Sequence, residues 1–66
     1  MIHVRYNGQS LDIPRQNLRL NGNLSAQAIK RAVAQYLEVG TNQLRDYVVD
    51  FRPGGDIIVR PEAVYG

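Results

Sequence analysis

The single histidine, His3, lies nine positions before Asp12. If the two segments carrying them pair, His3 faces Asp12, the arrangement in which a carboxylate orients an imidazole for base catalysis or metal ligation. The pattern places no serine as a nucleophile and no second histidine exists. The expectation is therefore an ordinary solvated cross-strand contact. Asp12, Asp46, Asp50, Asp56 and Glu62 show no spacing that gathers them at one site, and paired-carboxylate hydrolysis needs a cleft that so small a chain seldom offers. Pro53-Gly54-Gly55-Asp56 has the glycines of a phosphate loop but not its Gly-Lys-Ser/Thr ending, and a hairpin turn accounts for it. Cysteine is absent, which removes disulfides, thiolate metal sites and cysteine nucleophiles. No catalytic, cofactor-binding or metal-binding residue is expected.

Composition narrows the classes further. The chain has 66 residues, of which 44% are hydrophobic and 21% charged, near the globular average, so one packed domain is expected. Met1-Ile2-His3-Val4-Arg5 carries charge by its fifth residue, so neither a leader's apolar run nor a membrane span is expected there, and the default location is cytoplasmic. The net charge of +2 is spread along the chain, with no basic run longer than Lys30-Arg31. That makes nucleic acid an unlikely partner; a binder built on Arg5, Arg45, Arg52 and Arg60 would lose affinity steeply with salt.

Asn7-Gly8 between two alternating segments predicts a hairpin over residues 2 to 13, with the positive φ values a type I′ turn needs. A two-residue loop pairs Tyr6 with Gln9, Val4 with Leu11 and Ile2 with Ile13 on one face, and His3 with Asp12 and Arg5 with Ser10 on the other. Pro14 is expected to end or bulge the second strand. Arg15 to Asn23 then forms a connection whose Leu18 and Leu20 cap the core edge; a short strand over Leu18–Leu20 is the alternative.

Ile29, Ala32, Val33, Tyr36 and Leu37 make one stripe of a helix over Ser25 to Val39. Ser25 suits the N-cap, Gly40 the C′ position, and Leu24 with Ile29 a hydrophobic staple. Gln27, Lys30, Arg31, Gln35 and Glu38 are left for water. After a Thr41-Asn42-Gln43 loop, Tyr47 to Phe51 and Ile57 to Val59 read as a second hairpin around Pro53-Gly54-Gly55. Phe51 pairs with Ile57 and Val49 with Val59, Gly55 is the left-handed residue, and Arg52 faces Asp56.

These elements predict an α+β fold, ββαββ, with one four-stranded mixed sheet in the order 2-1-4-3 and the helix across its apolar face. Ile57-Ile58-Val59, the most continuously apolar strand, takes a central position beside the first. The domain spans residues 1–60, followed by a flexible tail over 61–66. A ferredoxin-like half or a hairpin-helix-hairpin dimer meets the same element order less economically.

That order, over about residues 1 to 60, resembles the β-grasp fold of ubiquitin-like proteins and small sulfur carriers. The resemblance implies a function either in binding proteins or as a modifier or sulfur carrier activated at its C-terminal carboxylate. Members of the second kind end in Gly-Gly, whereas this chain ends Tyr65-Gly66, so only Gly66 matches. The first expectation is a noncatalytic module, monomeric or weakly dimeric, binding another protein on the open sheet face. Arg5, Val48, Ile58 and Arg60 are its candidate contacts. The alternative is conjugation or thiocarboxylate chemistry at Gly66.

Overall fold

A computed structural model of the chain describes residues 1–20, 22 and 24–62. Strands β1 (Ile2–Tyr6) and β2 (Gln9–Ile13) form the first hairpin, in the register set by a two-residue loop: Ile2 opposite Ile13, Val4 opposite Leu11, Tyr6 opposite Gln9. Asn7 and Gly8 take φ of 55° and 79°, as a type I′ turn requires. β2 ends before Pro14, which leads into a 3-10 turn over Arg15–Asn17. Leu18 and Leu20 are buried without forming a strand.

Helix α1 (Ala26–Leu37) starts on Ser25, whose hydroxyl accepts from Ala28 N–H at 3.2 Å. A second 3-10 segment, Thr41–Leu44, follows, and then β3 (Tyr47–Phe51) and β4 (Ile57–Pro61) make the second hairpin. Phe51 faces Ile57 and Val49 faces Val59, while Gly55 is left-handed at φ 94°. Arg52 N–H donates to Asp56 O at 2.8 Å across the turn mouth.

β4 also pairs with β1 in parallel, Ile2 with Ile57 and Val4 with Val59, which gives one four-stranded mixed sheet in the order β2-β1-β4-β3. Ile57 N–H donates to Met1 O, so residues 57, 59 and 61 present their backbone groups to β1. Pro61 has no N–H to offer, and the parallel ladder stops near it. The antiparallel ladder continues to Glu62, whose N–H donates to Asp46 O at 3.1 Å, two residues past the expected domain boundary at 60.

The core is Ile2, Val4, Ile13, Ile57 and Val59 from the sheet, Ile29, Ala32, Val33 and Ala34 from α1, and Leu18, Leu20 and Leu44 from the connections. Every side chain buried in it is apolar. Burying an isoleucine or valine of this kind contributes about 1.5–3 kcal/mol. Leu44, flanked by polar residues, is fully buried and had no periodic signature to reveal it.

Several helix details depart from the expectation. Tyr36 is 46% exposed and Ala34 is fully buried in its stead. The reason is that α1 packs against Thr41–Leu44 as well as against β3, which turns the buried arc away from Tyr36 and toward Ala34. Leu24 remains 40% exposed, so the expected staple leaves it largely outside the core.

The helix ends earlier than Gly40. Glu38 is the left-handed residue, at φ 58°, with Glu38 N–H donating to Gln35 O and Val39 N–H to Ala34 O. That is a Schellman closure with glutamate at C′, and Val39 turns back onto the core. Gly40 instead lies at φ −70° and leads into the 3-10 segment, where an added Cβ would come within 2.5 Å of Asn42 Oδ1.

A left-handed conformation costs a residue with a Cβ about 1–2 kcal/mol, part of which glycine returns through its greater unfolded-state freedom. Glu38→Gly is accordingly expected to stabilise the chain by about 0.5–1 kcal/mol in urea denaturation. A loss of stability would show that the Glu38 side chain contributes more than its backbone strain costs.

Candidate functional site

With α1 on one side, no described element covers the other side of the sheet. The strand registers lay its outward side chains in two cross-sheet rows. One runs Asp12, His3, Ile58, Asp50; the other carries Ser10 and Arg5 from the first hairpin and Arg60 and Val48 from the second. The structure therefore brings the four candidate contacts Arg5, Val48, Ile58 and Arg60 onto a single face. Ile58 lies between His3 and Asp50, and Val48 lies opposite Arg60.

Charges rim this apolar centre in pairs. Arg60 Nε donates to Asp50 Oδ2 at 2.8 Å, diagonally across β3 and β4. Both side chains keep over a third of their surface in water, so the pair orients the guanidinium more than it stabilises the fold, contributing well under about 1 kcal/mol. Arg5 is exposed and has no charged partner among the described residues.

At the other end of the face His3 Nδ1 donates to Asp12 Oδ1 at 2.7 Å. His3 Nε2 also lies 3.8 Å from Asp56 Oδ2, and the Met1 amino group 3.6 Å from Asp56 Oδ1. Asp56 thus faces Arg52 through its backbone across the turn mouth, as expected, while its carboxylate turns toward the N-terminus. The His3–Asp12 pair is as exposed as a solvated cross-strand contact should be. No group of three or more histidines and carboxylates suited to a metal ion occurs among the described residues.

A second feature lies on the helix side. An open groove of about 870 Å³ runs between α1 and β3, with Ala26, Tyr47 and Val49 in its walls and Lys30, Arg31 and Arg45 among its lining residues. Lys30 was expected to face water. It is half-buried instead, with Nζ donating to Arg45 O at 3.0 Å and Tyr47 O at 3.1 Å. Its neighbourhood to Ile29 on the helical wheel was the available signal, since a long stem can lie along the core while its head reaches carbonyls. Arg45 belongs to this groove and stands apart from Arg5 and Arg60, so the four arginines of a nucleic-acid reading are not gathered on one surface.

Gly66, the candidate for C-terminal activation, lies outside the described residues. No protein-family model, no curated protein and no solved structure matches the chain. No helix of the described residues is long and apolar enough to cross a membrane.

Tyr47 begins β3 beside Tyr6, with ring centroids 6.2 Å apart and tilted 38°. Burial, and secondarily the Tyr6 phenolate, raise its pKa above 10.0. The folded chain therefore holds this proton more tightly than the unfolded chain does. The resulting stability is complete below pH 10 and lost as pH rises through the folded pKa. Stability of the wild type is expected to fall from about pH 10 upward, and Tyr47→Phe to flatten that limb, as read by urea denaturation across the alkaline range.

Proposed function

We propose that this chain is a noncatalytic, ubiquitin-like β-grasp module that binds another protein on the uncovered face of its sheet. One observation carries the reading: Ile58 and Val48 are presented together on a strand-rigid surface, with Arg5, Arg60, Asp50 and His3 around them. An apolar centre rimmed by arginine suits a protein partner, because the centre can be desolvated while the guanidiniums keep polar partners at the rim. Arg60 is already held by Asp50, which lowers the entropy lost when it is ordered by a partner.

The noncatalytic reading draws its support from the same geometry. The titratable groups of this face stay in contact with water, and among the described residues the fully buried side chains are apolar. The fold order, two hairpins with an intervening helix and parallel outer elements at the centre, is compatible with the β-grasp and supports the ubiquitin-like reading.

The test is affinity capture from source-cell lysate with three forms of the chain carrying a free C-terminus: wild type, Ile58→Arg and Gly66→Ala. A protein retained by the wild type and by Gly66→Ala, but weakened at least about fivefold with Ile58→Arg, is the expected result for a hot spot at the centre of the face. Covalent adducts on denaturing gels that disappear in Gly66→Ala would replace this reading with that of a modifier or sulfur carrier.

A further inference from the structure

We propose a second binding surface: the groove between α1 and β3 receives an extended, acidic segment of another protein, which adds as a fifth strand along the β3 edge. This surface lies on the helix side of β3 and meets the outer face at Val48, which lines the groove as well.

The backbone supplies the first argument. Antiparallel pairs alternate between those that exchange hydrogen bonds and those that do not. Arg52 N–H bonds Asp56 O and Glu62 N–H bonds Asp46 O, so between them Val48 and Asp50 spend their backbone groups on β4. Tyr47, Val49 and Phe51 then point theirs away from the sheet. Lys30 has taken the Tyr47 carbonyl, which leaves the N–H and C=O groups of Val49 and Phe51 as an edge without a backbone partner among the described residues.

Side chains supply the second argument. Those same three residues share the helix-side parity of β3: Tyr47 and Val49 line the groove, and Phe51, 54% exposed, lies two residues farther along the same edge, beyond the lining. A strand laid against β3 would send alternate side chains into this space, so it takes small or β-branched apolar residues at every second position.

Charge selects the occupant. The groove is lined by Lys30, Arg31 and Arg45 and by no carboxylate. Asp46, next to Arg45 in the chain, is more than four-fifths exposed, with Oδ1 3.9 Å from Arg45 Nε. Lys30 and Arg45 meet the Tyr47 end of β3, whereas Phe51 at the other end offers an exposed apolar side chain. The fitting partner is thus a segment with carboxylates beside Tyr47 and alternating apolar residues along Val49 and Phe51. A second copy of this chain fits less well, since neither exposed edge strand, β2 or β3, carries such an acidic cluster.

The probe is a capped peptide, Asp-Glu-Asp-Val-Ile-Val-Thr, added to the isotopically labelled full chain and followed by amide shifts and hydrogen exchange. Binding is expected to slow exchange of the Val49 and Phe51 amides. Affinity should drop about tenfold when lysines replace the peptide's acids, and equally in Arg31→Glu/Arg45→Glu, whose altered residues are exposed. Of two peptides N-methylated on alternate amides, one should lose binding and the other keep it, and Ile58→Arg should leave affinity unchanged. The proposal is overturned if no shift appears at millimolar peptide, if the lysine peptide binds as well, if the shifts centre on Ile58, or if β3 amides respond only to chain concentration through dimer formation.

Discussion

The parallel pairing of β1 with β4 is the constraint on which the rest depends. It joins two hairpins that are far apart in sequence, and neither hairpin is stable alone in water. Once Ile2 lies beside Ile57 and Val4 beside Val59, four fully or nearly fully buried side chains form the floor on which α1 packs. The same registration aligns His3 with Ile58 on the reverse side, so a single backbone arrangement creates both the core and the outer face. It also decides which strands are edges. β2 and β3 are left outermost, and β3 is flanked by a basic groove.

Charge is kept away from this core and used at the elements' ends. Lys30 ties α1 to the start of β3 through two carbonyls, and Arg15 Nη2 donates to Gly55 O, joining the end of the first hairpin to the turn of the second. The Met1 amine, His3, Asp12 and Asp56 form a solvated chain of contacts across the same end of the sheet. Individually such exposed contacts contribute little to stability. Their consequence is positional: they hold the rim of the outer face in a defined arrangement around Ile58.

Both hairpins, their registers and the strand order were legible in the residues because two local rules agree. Asn7-Gly8 and Gly55 prescribe turns, and the turns place apolar residues on one face, so a one-residue slip would expose the core. Ile57-Ile58-Val59 announced a central strand by being apolar at consecutive positions. What escaped was set by tertiary packing. Leu44 has no periodic partner, and its 3-10 segment rotates the buried arc of α1 from Tyr36 to Ala34. Gly40 looked like the helix stop, but Val39 must return to the core, so the reversal falls on Glu38 despite its Cβ. The outer-face residues followed directly from strand parity, whereas the groove did not: it depends on how α1 sits over β3, which no local pattern encodes.

β4 lies inside the sheet while β3 forms one of its edges, a difference that residue-resolved amide hydrogen exchange on the free chain reads out strand by strand. Ile57, Ile58 and Val59 are expected to exchange only through global unfolding, and the Val49 and Phe51 amides to exchange far faster, by opening little or not at all. Protection of Val49 and Phe51 equal to that of β4 in a monomeric sample, or rapid exchange along β4, would contradict this arrangement of strands.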